Sequence, residues 1–408
     1  MKKSLLALAV LGAFAGAAQA QSSVTLYGIV DTGVTFTNKI GTGNLTGDPT
    51  ITGNNGNWFT DTKRNVAMNS GILQGSRLGF KGTEDLGGGL SAVFNLEAGF
   101  KNDTGALDEN GVLFRRKSVV GLSGGFGTVL LGRQTDVLDD IGGTLTSVAD
   151  FGGVTGAVGH NLDRLEGTRS NNSIRYNTAN LGGFVGTLMY GLGEQAGKNS
   201  AGQSFGVGGL YTNGPLGLGA GYYQSKAGAT PSDTSTTSMV GSAIGPDGAT
   251  LLKTFTLAAS YQLGAARLYG NWSRVKQPAA AAADGNTPRA IYNNSSNTWS
   301  PVAFTVGGTN NDKTDIFELG TAYALNPSLK LLGSVQQSRI NYVDAAKGKL
   351  TQINLGADYW LSKRTDLYAF VSNLRANDGQ LFNPGITSNT ASDQTSQTAV
   401  SVGIRHKF

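Results

Sequence analysis

Several things that most secreted or membrane proteins contain are scarce in this sequence. It has no cysteine, 9 prolines in 408 residues, and charged residues make up 14% of it. Without cysteine the chain is not a small secreted domain held by disulfides. Beyond the first twenty residues, no apolar run approaches the roughly 18 residues that predict a membrane-spanning helix. The net charge of +5 comes without a basic run, so nucleic acid is not an expected partner.

The first twenty residues have the pattern of a cleaved signal peptide. Lys2 and Lys3 precede an apolar stretch over residues 5–17, and the small residues of 18–20 follow. The apolar stretch is shorter than the ~20 residues that a membrane anchor needs. We therefore predict a signal peptide at 1–20 and a mature chain that begins at Gln21.

The mature sequence is rich in glycine and alternates between polar and apolar residues. The 61 glycines follow no collagen repeat. In residues 90–101, apolar Phe94 and Leu96 alternate with polar Asn95 and Glu97. Side chains point alternately to the two faces of a strand, so this period of two predicts strands with one apolar and one polar face.

The lengths of the strands and of their connections favour a transmembrane barrel over a soluble sandwich. Many candidates reach the ~9–11 residues that a tilted membrane strand requires. Short turns also alternate with long polar segments at 38–68, 134–165, 227–252, 277–311 and 376–397, which is typical of outer-membrane barrels. An even number of strands lets such a sheet close, and sixteen leave a water-filled lumen. The predicted fold is all-β, a transmembrane antiparallel barrel over 21–408, with sixteen strands at 23–36, 69–81, 89–101, 112–122, 127–133, 168–178, 184–192, 204–212, 216–226, 253–262, 265–276, 312–325, 328–342, 351–361, 364–375 and 398–408.

Six segments spread along the chain carry a family resemblance. They are SSVTLYGIVD at 22–31, SRLGFKGTEDLG at 76–87, VGLSGGFGT at 120–128, LGRQ at 131–134, SIRY at 173–176 and VGIRHKF at 402–408. In this order they resemble the trimeric general porins of Gram-negative bacteria, especially the beta-proteobacterial branch. The resemblance implies a homotrimer in the bacterial outer membrane and a third loop folded into each lumen. It also implies that Phe408 ends an assembly signal.

Several arginines are predicted to line the wall of a pore constriction. Arg77 and Arg175 have the parity opposite to their apolar neighbours, so both should face the lumen. Arg116 matches the wall arginine of the family. Its neighbour Arg115 is the alternative lumen residue. Weaker candidates are Arg133 and Arg169.

The loop side of the predicted constriction has few acids. Residues 149–153 resemble the acidic loop motif of the family, which places Asp150 opposite Arg77, Arg116 and Arg175. Where cation-preferring relatives carry a second acid, this chain has Thr146. Further candidates near the start of the loop are Asp136, Asp139 and Asp140. Several arginines against one carboxylate predict a pore that prefers anions.

Other functions find less support in the sequence. Residues 121–125 match the hydrolase pattern G-x-S-x-G, which requires a following helix and a histidine as base. No helix pattern follows Ser123, and the sequence has two histidines, His160 and His406, so we do not expect an enzyme. We expect no cofactor and no metal, although a loop-bound Ca²⁺ stays open. The expected partners are outer-membrane lipid, small hydrophilic solutes and anions. The alternatives are a substrate-specific channel, an adhesive or binding outer-membrane barrel, and a soluble β-sandwich.

Overall fold

The computed structural model describes most of the chain in twelve segments. These are residues 23–46, 58–109, 111–156, 164–165, 168–228, 232–233, 248–276, 289–293, 298–302, 311–342, 347–377 and 396–408. The predicted signal peptide at 1–20 and the predicted start at Gln21 lie outside them, as do His160 and parts of the long loops.

The described residues form nineteen strands and two short helices, because the period of two continues through most of the chain. The helices are α1 (Val137–Leu145) and α2 (Val148–Gly156). The strands are β1 (Ser23–Thr46), β2 (Trp58–Ser70), β3 (Arg77–Gly87), β4 (Leu90–Gly99), β5 (Lys117–Gly124), β6 (Gly127–Thr135), β7 (Arg169–Asn177), β8 (Phe184–Gly191), β9 (Ser204–Asn213), β10 (Leu216–Lys226), β11 (Thr250–Leu263), β12 (Ala266–Lys276), β13 (Arg289–Asn293), β14 (Thr298–Val302), β15 (Asn311–Asn326), β16 (Leu329–Tyr342), β17 (Lys347–Trp360), β18 (Thr365–Asn377) and β19 (Ser396–Lys407).

All strands except β13 and β14 belong to one closed antiparallel barrel. Neighbouring strands around the barrel pair in chain order, except that β2 and β3 both pair with β1. β1 closes the barrel against β19, with Ile29 opposite Lys407 and Thr37 opposite Ala399. β1 pairs with β3 through its first half and with β2 through its second half. β2 and β3 therefore occupy one position around the barrel, which has the predicted sixteen positions. β13 and β14 form a separate hairpin within the connection from β12 to β15.

Four predicted segments differ from the observed ones. The strand predicted at 69–81 is interrupted at 71–76, and the segment 38–68, predicted as a loop, holds the end of β1 and most of β2. The strand predicted at 112–122 begins only at Lys117. The predicted loop 277–311 contains the β13–β14 hairpin.

The two faces of the barrel have opposite chemistry. Outward-facing side chains such as Leu319 (68% exposed), Val66 and Val402 are apolar. Inward-facing side chains such as Thr256, Ser338 and Asn354 are polar and buried. Because lipid offers no hydrogen-bond partners, a closed barrel with an apolar exterior is what an outer-membrane location requires. Neither helix of the described segments is long and apolar enough to span a membrane.

The candidate pore constriction

The third long connection, between β6 and β7, folds into the lumen and carries both helices. α1 begins after Asp136, whose Oδ1 accepts a hydrogen bond from the backbone N–H of Leu138 at 3.0 Å. A carboxylate at this position satisfies an otherwise unpaired amide of the first helical turn. The predicted inward fold of this loop is confirmed.

A row of glycines on the inner wall holds the apolar face of α1. The inward positions of β10 include Gly217, Gly219 and Gly221. A Cβ atom at Gly219 would lie 2.8 Å from Leu145 Cδ1 and 3.0 Å from Ile141 Cγ2. Side chains on this row would push α1 away from the wall. The glycines therefore let the helix lie directly against the sheet.

The junction between the helices is fixed by polar contacts, and Thr146 is part of it. Thr146 ends α1 and is fully buried, and its Oγ1 donates to the carbonyl of Gly142 at 2.9 Å. The backbone N–H of Ser147 donates to Glu318 Oε1 at 2.9 Å, and Gln336 Nε2 donates to Ser147 Oγ at 2.8 Å. Thr146 therefore caps α1, and its buried side chain does not line the pore.

Asp150 lies against the wall formed by β12 and β16. It forms a salt bridge with Arg267 of β12, and Lys330 Nζ of β16 lies 3.9 Å from its Oδ1. Arg267 also donates to the carbonyl of Thr144 at 3.0 Å and to that of Thr146 at 3.4 Å. Asp150 therefore contacts β12 and β16. That it faces Arg77, Arg116 and Arg175 across the pore stays a prediction.

The interruption between β2 and β3 meets the end of the loop. Asp31 Oδ2 accepts hydrogen bonds from the backbone N–H groups of Leu73 at 2.9 Å and Gln74 at 2.6 Å. Leu73 packs in one apolar cluster with Phe151. Gly152 has φ of +69°, and a Cβ atom there would lie 1.7 Å from the Leu73 carbonyl oxygen. Only glycine fits this close, left-handed approach.

Arg77 and Arg116 face the lumen around a single carboxylate. Arg116 Nε lies 2.7 Å from Glu97 Oε1, and Arg77 Nη1 lies 3.9 Å from the same oxygen. Tyr27 donates its hydroxyl proton to Glu97 Oε2 at 2.9 Å. The carboxylate of Glu97 is therefore shared by two guanidinium groups at the wall.

Arg115 and Arg133 form a second group beside the first. Arg115 forms salt bridges with Asp108 and, at 3.0 Å, with Glu109. Arg133 Nη2 lies 3.4 Å from the same carboxylate of Glu109. Two acids balance two arginines here, so this group adds no net charge to the pore.

The remaining predicted residues form contacts at the base of the loop. Arg175 forms a salt bridge with Asp140 of α1 and donates to the carbonyl of Thr135 at 3.2 Å. Arg169 is buried and interacts electrostatically with Asp139. These contacts join the acidic face of α1 to β7.

Two loops share one buried arginine at this base. Arg164 Nη2 lies 3.5 Å from Asp136 Oδ2 and 3.4 Å from Asp233 Oδ2, and all three side chains are almost completely buried. Asp233 belongs to the connection between β10 and β11, so that connection holds the third loop in place. Burial raises the pKa of the Asp136 carboxyl to about 7, although the nearby Arg164 opposes the shift.

Several charged residues of this region were not predicted from the sequence. Glu97 was recognised as inward-facing but not as a partner of the arginines. Glu109, Arg267 and Lys330 were not recognised at all. Arg267 alternates with apolar Leu268 in a predicted strand, so parity was the signal that could have identified it.

The described segments contain no group of three or more His, Cys, Asp or Glu side chains arranged to hold a metal ion. The loop-bound Ca²⁺ stays an untested possibility. Ser123 of the G-x-S-x-G match contacts Thr128 Oγ1 at 2.9 Å across the β5–β6 hairpin. This position is a strand end and not the strand-to-helix turn that a hydrolase nucleophile needs.

Known proteins resemble this chain over nearly its full length. The family model described as Gram-negative porin matches residues 7–379. Outer membrane porin protein 32 of Delftia acidovorans is 36% identical, and an outer membrane porin protein of Bordetella pertussis is 31% identical, each over 100% of both chains. The solved anion-selective porin from Comamonas acidovorans is 28% identical with a TM-score of 0.65, over 95% of this chain and 100% of that one.

Proposed function

This chain belongs to the Gram-negative porin family, and on that premise we propose that its pore favours anions and that three barrels associate into a trimer. The protein is an integral outer-membrane channel and not an enzyme. Small hydrophilic solutes and ions diffuse passively through its water-filled lumen. The constriction formed by the third loop and the facing wall is where solutes of different charge are distinguished.

The observation that carries the anion preference is the sharing of Glu97 by Arg77 and Arg116. Arg267 and Lys330 share Asp150 in the same way on the opposite wall. In each of these two sets of salt bridges, two cations share one carboxylate, so positive charge is in excess within the set. In a narrow lumen with low-dielectric walls, such charges raise the local concentration of anions and repel cations. The likeness to a solved anion-selective porin supports the same sign.

The reversal potential in planar bilayers tests this proposal. With a KCl gradient across the membrane, an anion-preferring pore gives a reversal potential of the sign set by chloride. Raising the salt concentration on both sides should weaken the preference, because screening shortens the range of the wall charges. A reversal potential of the sign set by potassium would overturn the proposal.

The proposed trimer rests on the exterior of the first and last strands. Val24, Leu26, Val66 and Met68 of β1 and β2 are apolar and between 55% and 67% exposed, and Val402 of β19 continues this surface. Unboiled protein should migrate as a trimer on gels and as a monomer after boiling. Migration as a monomer before boiling would contradict the proposal.

The alternative of a substrate-specific channel is distinguished by liposome swelling. A general diffusion pore gives rates that fall with solute size and do not saturate with concentration. Saturation by one sugar or one organic anion would favour a specific binding site in the lumen.

A further inference from the structure

The outer surface of the barrel carries a basic patch at the end where the long loops lie. The patch occupies outward positions of β10, β11, β12 and β15 to β18, near their extracellular ends. Its members are Lys226, Lys253, Arg274, Lys276, Lys313, Arg339, Lys347, Lys349 and Arg375. Among the described outward-facing residues at this end of these strands, Asp315 is the acid that accompanies them. The patch therefore has a large positive charge.

Three lysines of the basic patch lie directly opposite one another in neighbouring strands. Lys253 pairs in register with Lys276, and Lys276 pairs with Lys313. In the described segments none of the three lies within salt-bridge distance of a carboxylate, and Lys313 interacts at longer range with Asp315, which is already paired with Arg274. Like charges at directly paired positions destabilise a sheet. Such an arrangement is favourable when an anion lies against it.

Two arginines of the basic patch lie beside aromatic side chains on the outer surface. Arg274 lies 2.7 Å from Asp315, and its guanidinium is 5.3 Å from the ring centre of Trp272. Arg339 lies 5.2 Å from the ring centre of Phe317 and pairs in register with Lys349. Aromatic side chains below and cations above are typical of the boundary between hydrocarbon and headgroups.

An apolar groove of about 790 Å³ adjoins the patch on its membrane side. Trp272 and Phe317 line its upper part, with Leu257 and Leu319 beside them. Ala259 and Gly270 are among its small residues and leave it open. Trp272 is two residues from Arg274 on the same face, so the groove ends about 7 Å below the cations.

We propose that this patch and groove form a binding site for a phosphorylated glycolipid of the outer leaflet, with its phosphates on Lys253, Lys276 and Lys313 and an acyl chain in the groove. Charge complementarity selects the phosphates, and the groove selects a lipid over a soluble phosphate. The periplasmic ends of the same strands expose Tyr261, Tyr323 and Tyr359 on their outer face in place of basic residues. The site is therefore specific to the extracellular leaflet, and it lies away from the proposed trimer surface of β1, β2 and β19.

Binding of lipopolysaccharide to the full-length protein in non-ionic detergent tests the site. The Lys276→Gln/Lys313→Gln variant should bind at least about tenfold more weakly, because each surface lysine contributes roughly 1 kcal/mol to binding an anionic lipid. The Lys363→Gln/Arg364→Gln variant removes two exposed charges from a periplasmic turn and should bind as the unmodified protein does. Ala259→Phe should weaken binding by obstructing the groove while all the charges remain.

The chemistry of the ligand and the integrity of each variant are controlled separately. Enzymatically dephosphorylated lipopolysaccharide should bind the unmodified protein as weakly as phosphatidylethanolamine does. Unchanged single-channel conductance and gel mobility establish that each variant is folded. Undiminished binding by Lys276→Gln/Lys313→Gln, an equal loss in the periplasmic variant, or equal binding of the dephosphorylated lipid would each overturn the proposal.

Discussion

Arg116 Nε lies 2.7 Å from Glu97 Oε1, which makes Glu97 the partner of the arginine that the sequence had placed opposite Asp150. Arg77 Nη1 lies 3.9 Å from the same oxygen, so this one carboxylate reduces the positive potential of both arginines. The strength of the anion preference is therefore set on this wall by one acid against two arginines.

Removing that acid should increase the preference for anions. Glu97→Gln keeps the shape of the side chain and removes the carboxylate that both arginines share. We expect the ratio of chloride to potassium permeability to rise about two- to threefold, as one charge in a narrow lumen would produce. The measurement is the reversal potential in a salt gradient. Glu84→Gln, at an exposed position near the periplasmic end of β3, is the matched control and should leave the ratio unchanged.

Arg267 should both hold the third loop in place and contribute to the anion preference of the pore. Arg267→Gln removes the salt bridge to Asp150 and the hydrogen bonds to the carbonyls of Thr144 and Thr146. We expect noisier single-channel currents, because the junction between α1 and α2 is held less firmly, and a lower anion preference. Arg274→Gln changes an arginine of the same strand on the outer face and should alter neither. Equal effects of the two substitutions would contradict the assignment of Arg267.

The glycine row of β10 should not tolerate larger residues. Gly219→Leu would bring its side chain into Leu145 and Ile141, and such overpacking costs about 1–3 kcal/mol. We expect a smaller single-channel conductance, because α1 is displaced toward the centre of the lumen, and a lower temperature of heat modification on gels. Gly143→Ala is the control within α1, since a Cβ atom there meets nothing within 4 Å. A normal conductance for Gly219→Leu would show that α1 does not lie against this wall.

The stability of the loop should depend on pH through Asp136. Its pKa is raised from the ordinary value of 3.8 to about 7, so the folded state binds a proton more tightly than the unfolded state does. The free energy of unfolding should therefore be highest in acid, fall as the pH rises from about 4 to about 7, and stay level above that. Heat modification at a series of pH values measures this dependence.

Asp136→Asn separates this contribution from that of other carboxyl groups. Asparagine retains the cap at the start of α1 but does not titrate, so the slope between these pH values should become shallower. Asp103→Asn, at an exposed loop position, should keep the full slope. An unchanged slope in Asp136→Asn would mean that other groups cause the dependence.

The strands were predictable because their signal is local. The alternation of polar and apolar residues in 216–226 and 265–276 needs no knowledge of distant residues, and β10 and β12 match these predictions within one residue. Inward parity identified Arg77 and Arg175 for the same reason. The interruption at 71–76 was not predictable in this way, because it depends on hydrogen bonds to Asp31, more than forty residues away in the sequence.

The partners of the charged residues depend on the path of the third loop. Asp150 belongs to a motif that the family resemblance identified, but its partner is chosen by where α1 ends on the far wall. That position follows from the glycine row of β10, from Glu318 and from Gln336, which are distant from the loop in sequence. The arginines and the loop are therefore predictable from the sequence, whereas their salt-bridge partners Glu97 and Arg267 are not.

The role of the wall arginines is tested by the reversal potential of the Arg77→Gln/Arg116→Gln variant, measured beside that of the unmodified channel in the same KCl gradient. Removing both arginines leaves Glu97 uncompensated on this wall. We predict a chloride-selective potential for the unmodified channel and a clear shift toward potassium in the variant, with gel mobility unchanged. An unshifted potential in a folded variant would show that these arginines do not set the selectivity.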